Sequence, residues 1–189
     1  MNYLFLSKII YNLFFFSLLY VSANAQINID SFKTAHKKEK YEIKIKSYLD
    51  FGETTGKQHF DDVINIAEEG IVLAQKNGDS IAVGILKRQT GESYYFKGNY
   101  NIAAEYFYSS IKIFENANEL QNLAKSYNAL AKLYRKTKDL ARSLENYDRA
   151  MALFRTLKDS AGIAMIYNES GVVFEYQEKY KEAARRYAA

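Results

Sequence analysis

Residues 127–134 read Tyr-Asn-Ala-Leu-Ala-Lys-Leu-Tyr. Tyr127, Leu130, Ala131 and Tyr134 fall at spacings of three, one and three, so they share one stripe of a helix. After the polar break Lys136-Thr137-Lys138-Asp139, a second stripe follows at threes and fours: Leu140, Leu144, Tyr147, Met151 and Phe154. Two apolar stripes joined by so short a break predict two antiparallel helices.

The same unit recurs on both sides. A shift of 40 residues lays Gly91 on Ala131 and Gly171, and Tyr94 on Tyr134 and Phe174. Tyr100, Leu140 and Tyr180 form a further set, as do Ala103, Ser143 and Ala183, and Phe107, Tyr147 and Tyr187. Asp79, Glu119 and Asp159 mark the starts of the copies, Asn128 recurs as Asn168, and Phe114 recurs as Phe154. Fixed-period self-similarity is the signature of a repeat architecture. The copies run about 79–118, 119–158 and 159–189, the last truncated. Asp79 and Asp159, each followed by Ser, are expected N-caps, and Gly98 is the expected helix-ending glycine. The small residues at 91, 131, 171, 103, 143 and 183 are expected to let the paired helices approach closely.

The run Tyr127–Tyr134 with Leu140, Ser143, Tyr147 and Ala150 resembles a tetratricopeptide repeat. So does the set Gly91, Tyr94, Gly98, Tyr100, Ala103 and Phe107. The period of 40 rather than 34, the missing repeat-ending proline and Ser110 in place of alanine depart from the usual pattern; longer periods resemble variants in kinesin light chains and bacterial regulator proteins. The resemblance implies an all-α, TPR-like α-solenoid of antiparallel helix pairs.

Upstream the register fades. Phe60, Val63, Ile64, Ala67, Ile71 and Ala74 make a second-helix stripe, whereas 40-KYEIKIKSYLDF-51 reads equally as helix or alternating strand. Residues 26–57 are therefore taken as a lysine-rich lead-in and degenerate capping segment, and 58–189 as the repeat domain. Residues 1–25 place Lys8 before the apolar run Ile9–Val21 and end in Ala23-Asn24-Ala25, the layout of a secretory signal peptide cleaved before Gln26. The alternative is an uncleaved N-terminal anchor. The phenylalanine crowding at 14–16 and Gln after the cleavage site look like signal peptides of Bacteroidetes. The protein is expected to be exported, periplasmic or otherwise extracytoplasmic.

Chemistry is sparse. The chain of 189 residues has no cysteine and no proline, which excludes disulfides, zinc-thiolate sites and thiol nucleophiles and suits uninterrupted helices. Net charge is +4, and losing residues 1–25 removes only Lys8, leaving +3. That is too thin a basic footprint for a nucleic-acid binder. The segment Gly52-Glu53-Thr54-Thr55-Gly56-Lys57-Gln58 imitates a phosphate-binding loop, but three residues rather than four separate its glycines and Gln58 stands where a hydroxyl is needed. It reads as a glycine-rich inter-helix turn. His36 and His59, the only histidines, belong to no hydrolase or metalloprotease motif, and Asp61-Asp62 and Glu68-Glu69 read as helix-surface charges. No enzyme activity, cofactor or metal is expected.

Binding is better represented. The resemblance implies that the first helices line a concave groove for another polypeptide. Beside the packing stripe, Ile85, Arg88, Glu92 and Tyr95 share a face; Lys125, Asn128, Lys132 and Arg135 are their equivalents, then Met165, Asn168, Val172 and Glu175. The middle rung is cationic and predicts acidic partners, while Asn128 and Asn168 can each donate to and accept from a peptide backbone. The expected function is an exported protein- or peptide-binding module, in its strongest variant the sensor segment of a larger signalling protein such as a histidine kinase; the alternative is a scaffold or assembly factor for cell-envelope complexes. Because the third second-helix stops near Ala189, before the counterpart of Phe154, the sequence is also expected to be a fragment. Membrane association would then come only through a missing C-terminal segment or a retained signal anchor.

Overall fold

The computed structural model describes residues 29–55 and 59–189. Residues 1–25, expected from the sequence to be a signal peptide, and the Gly56-Lys57-Gln58 end of the glycine-rich segment lie outside them. The chain divides into two compact units, Met1–Lys38 and Glu39–Ala189. In the first, α1 spans Ile29–Ala35 and the rings of Phe32 and His36 lie 4.5 Å apart.

The second unit is a run of helix pairs. Its helices are α2 (Tyr41–Thr55), α3 (Phe60–Lys76), α4 (Ser80–Phe96), α5 (Tyr100–Ala117), α6 (Leu120–Lys136), α7 (Leu140–Thr156), α8 (Ser160–Tyr176) and α9 (Tyr180–Tyr187). Each packs on the next, and the first helices also touch one another, α2 with α4, α4 with α6 and α6 with α8. Neighbour-on-neighbour packing of this kind is what a solenoid requires. Among the described residues there is no strand, and no helix is long and apolar enough to cross a membrane.

The segment that read equally as strand or helix is α2. Ile45, Tyr48 and Phe51, three apart, are buried, and the Tyr48 hydroxyl donates to Glu69 of α3 at 2.6 Å. Ile43, which created the alternating pattern, is 54% exposed. Gly52 stands inside α2 rather than in a turn, and for a packing reason: a Cβ there would lie 2.3 Å from the Gln89 side chain. That side chain donates to the Leu49 carbonyl at 2.9 Å.

The turns are uniform. Residues 78, 98, 118, 138, 158 and 178 all take positive φ, between 52° and 82°, one every 20 residues. Only Gly78 and Gly98 are glycines; the others are Asn118, Lys138, Lys158 and Glu178. Asp79 and Asp159 cap α4 and α8 as expected, each accepting a backbone N–H at 2.9 Å. Asp139, read only as part of a polar break, caps α7 by accepting the Arg142 N–H at 3.1 Å. The N–H and guanidinium of Arg142 together hold its carboxyl below the usual aspartate range.

Small residues do bring the paired helices together. A Cβ on Gly91 would stand 2.7 Å from the Phe107 ring, and the Ser143 hydroxyl donates to the Ala131 carbonyl at 2.9 Å across the α6–α7 contact. Ser110 in place of alanine has its own reason. Fully buried, its hydroxyl donates to the Phe107 carbonyl at 2.8 Å and lies at hydrogen-bond distance, 3.0 Å, from the Ser126 hydroxyl, stitching α5 to α6.

Candidate functional site

Along the side where the first helices meet, α2, α4 and α6 enclose a cavity of about 410 Å³. Arg88, Glu92, Tyr95, Asn128 and Lys132 line it, joined by Gln89. Five of the twelve face residues read from the sequence therefore meet in one place. Helical spacing puts them there: 88, 92 and 95 on α4, then 128 and 132 at the same positions one repeat on. Its apolar wall is made by Tyr95, Phe96, Phe107 and Ala129.

The polar wall holds unspent hydrogen-bonding capacity. Arg88 is buried, and its Nη1 donates to Glu92 Oε1 at 2.7 Å, but its Nε has no partner. Asn128 is also buried; its Nδ2 meets only the Met165 sulfur at 3.8 Å and its Oδ1 nothing. Gln89 Oε1 is a third buried atom without a partner. Leaving such groups unpaired costs about 1–3 kcal/mol each. All three residues line the cavity, while the unpaired atoms themselves are closed to solvent.

The remaining groove residues spread over the same face and its margins. Arg135 lines a smaller depression with Tyr95, Lys136, Lys138 and Tyr176, where the Lys138 ammonium sits 3.7 Å from the Tyr176 ring. Asn168 is exposed in a shallow depression with Met165, Glu169 and Val172. Lys125 stands beside the Asp159 cap and helps hold that carboxyl low, after the Gly162 N–H and Gln121. Glu175 accepts from the Tyr187 hydroxyl of α9, away from the cavity.

The charge of the middle rung differs from its sequence reading. Glu169, from the following repeat, pairs with Lys132 at 3.1 Å and Arg135 at 2.8 Å and accepts the Tyr147 hydroxyl at 3.4 Å. Two cations thus share one carboxylate, and a surplus of one positive charge replaces a strongly cationic rung. Burial, with Glu169 beside it, pushes the Tyr147 phenol up, and burial does the same at Tyr95. Both remain neutral donors at physiological pH.

Sequence reasoning passed over one whole position of the repeat. Gln89, Ala129 and Glu169 are 40-residue equivalents, and each lines a depression on this face. The period that linked 88, 128 and 168 would have linked these as well. Glu53, from the segment read as lead-in, also lines the cavity. Among the described residues no group of three His, Cys, Asp or Glu side chains could hold a metal ion.

Comparison with known proteins agrees with this architecture. Residues 122–189 match the tetratricopeptide repeat family, whose repeats generally mediate protein–protein interactions. No curated protein matches the chain. Among solved structures, it is similar to the crystal structure of BtubC (BKLC) from P. vanneervenii, with a TM-score of 0.66 and 18% identity. The match covers 79% of this chain and 62% of that one, so the chain spans less than two thirds of its length. The fold is an all-α, TPR-like solenoid of antiparallel helix pairs.

Proposed function

We propose that the first-helix face of α4, α6 and α8 binds an extended peptide segment of another protein, anchored at the cavity between α2, α4 and α6. The observation that carries this reading is the cavity itself, where Arg88, Glu92 and Tyr95 of one first helix meet Asn128 and Lys132 of the next. A peptide brings donors and acceptors in alternation and can meet polar side chains of this kind. TPR-like all-helical folds are typically non-catalytic binding scaffolds, and the site is read as recognition without catalysis. The surplus cation on the Lys132–Arg135–Glu169 cluster favours an acidic residue in the partner beside the cavity.

The test inverts that cluster while keeping its ion pairs. In Lys132→Glu/Arg135→Glu/Glu169→Lys the surplus becomes negative, and helicity should be unchanged. A peptide selected on the wild type from a random library should bind the triple variant at least tenfold more weakly, with a wild-type affinity that falls as salt rises. Equal affinity for both proteins would remove the groove assignment.

The wider reading is an exported sensor or scaffold module, of Bacteroidetes type, acting as part of a larger signalling protein such as a histidine kinase. It is supported by the Lys8, apolar-run and Ala23-Asn24-Ala25 layout. N-terminal sequencing of the protein from its native cells should begin at Gln26; a soluble cytoplasmic species beginning at Met1 would contradict export.

A further inference from the structure

Tyr95 is a wall shared by two hollows of this face. On one side lies the cavity of about 410 Å³, and on the other the depression of about 330 Å³ with Arg135, Lys136, Lys138 and Tyr176. We propose that the two are adjoining subsites of opposite charge, and that the bound segment places a basic residue in the cavity and an acidic residue in the depression. This inference rests on the peptide reading and deepens it, by stating the charge pattern that the partner must have.

The uncommitted charges point this way. Both cations lining the cavity are already matched, Arg88 by Glu92 at 2.7 Å and Lys132 by Glu169 at 3.1 Å. Glu53 lines the same cavity, is exposed, and has no cationic partner among the described residues. Across Tyr95 the balance reverses. Arg135 shares Glu169 with Lys132, whereas Lys136 and Lys138 are exposed and have no carboxylate partner among the described residues. The Lys138 ammonium rests 3.7 Å from the Tyr176 ring centre, which engages one side of it and leaves hydrogens for an acceptor on the other. Burial raises the Tyr95 phenol while the Arg135 guanidinium lowers it, so the partition between the hollows stays a neutral donor within the field of that guanidinium. Lysines at the end of a helix also favour its dipole, but that role gives no reason for an unmatched carboxylate across Tyr95.

Packing sets the spacing of the two charges. α2, which carries Glu53, packs on α4, and α4 packs on α6. Neighbouring helices lie about 8–10 Å apart, so the two seats are separated by about 16–20 Å, or about five or six residues of extended chain. Glu53, Lys136 and Lys138 are all open to solvent, and a partner reaches them without any rearrangement of the helices.

The test selects a random peptide library on the protein and follows it with double-mutant cycles. Selected peptides should hold a lysine or arginine about five or six positions from an aspartate or glutamate, always in the same direction along the chain. Glu53→Gln should weaken such a peptide at least threefold, and should have no effect once the peptide's basic residue is replaced by methionine. Lys136→Gln/Lys138→Gln should act in the same way through the acidic residue alone. Lys112→Gln, on the side between α5 and α7, also removes a positive charge and should change affinity less than twofold. All four positions are exposed, so the variants keep the fold. Selected peptides without paired opposite charges, couplings absent or exchanged between the two seats, or a loss in Lys112→Gln as large as in the depression variant would overturn the proposal and leave peptide binding in place. A library that yields no peptide would remove the peptide reading, and this inference with it.

Discussion

Lys158 holds φ at +55°, a left-handed conformation with no glycine to relieve it. A side chain there costs about 1–2 kcal/mol, and glycine would give back part of that gain through its freer unfolded state. Lys158→Gly should therefore raise stability by about 0.5–1 kcal/mol in denaturant unfolding; a loss would mean that the lysine side chain contributes more than the backbone strain. Lys138 is a poorer test, because its ammonium lies over the Tyr176 ring. Residues at this scale were unevenly legible. Gly98 announced its left-handed turn, whereas Lys138, Lys158 and Glu178 gave no sign of positive φ, since the turn is imposed by the helices it joins and not by the residue that occupies it. Asn128 was legible as a candidate groove residue from its recurrence at 168. Its missing partner was not, because an unpaired oxygen is a property of the neighbours.

Helix pairs show the same division between pattern and contact. The stripes from Tyr127 to Phe154 delimited α6 and α7 well, because burial on one side leaves a period of three and four. For α2 the pattern misled in one respect: Ile43 and Ile45 alternate, but only Ile45 is buried. Nothing local could show that Gly52 belongs to the helix, since its reason is Gln89 on α4. How closely paired helices approach can be tested at Gly91. Alanine is favoured over glycine in a helix interior by about 1 kcal/mol, but its Cβ would meet the fully buried Phe107 ring at 2.7 Å. Overpacking of that kind costs about 1–3 kcal/mol. Gly91→Ala should thus destabilise the protein by about 1 kcal/mol, measured by denaturant unfolding. A gain would show that α4 and α5 can separate enough to admit the methyl group.

At the scale of the whole molecule, the 40-residue period made the solenoid legible before any contact was known, and it ordered the face on which the candidate site lies. It did not reveal the cavity, which needs α2, α4 and α6 together, nor the neutralisation of Lys132 and Arg135 by Glu169 of the next repeat. Both arise between repeats, where a period in sequence says which positions are equivalent but not what fills the space between them. The central claim is that recognition occurs on the first-helix face. The opposite side offers a competing surface, a depression of about 610 Å³ between α5 and α7 lined by Tyr108, Lys112, Tyr127 and Arg149, but its Tyr127 hydroxyl already donates to Glu115 at 2.7 Å. The most direct measurement is NMR mapping of a library-selected peptide on the labelled protein. Shifts should centre on Arg88, Glu92, Asn128 and Lys132; shifts centred on Tyr108, Lys112 and Arg149 would contradict the account.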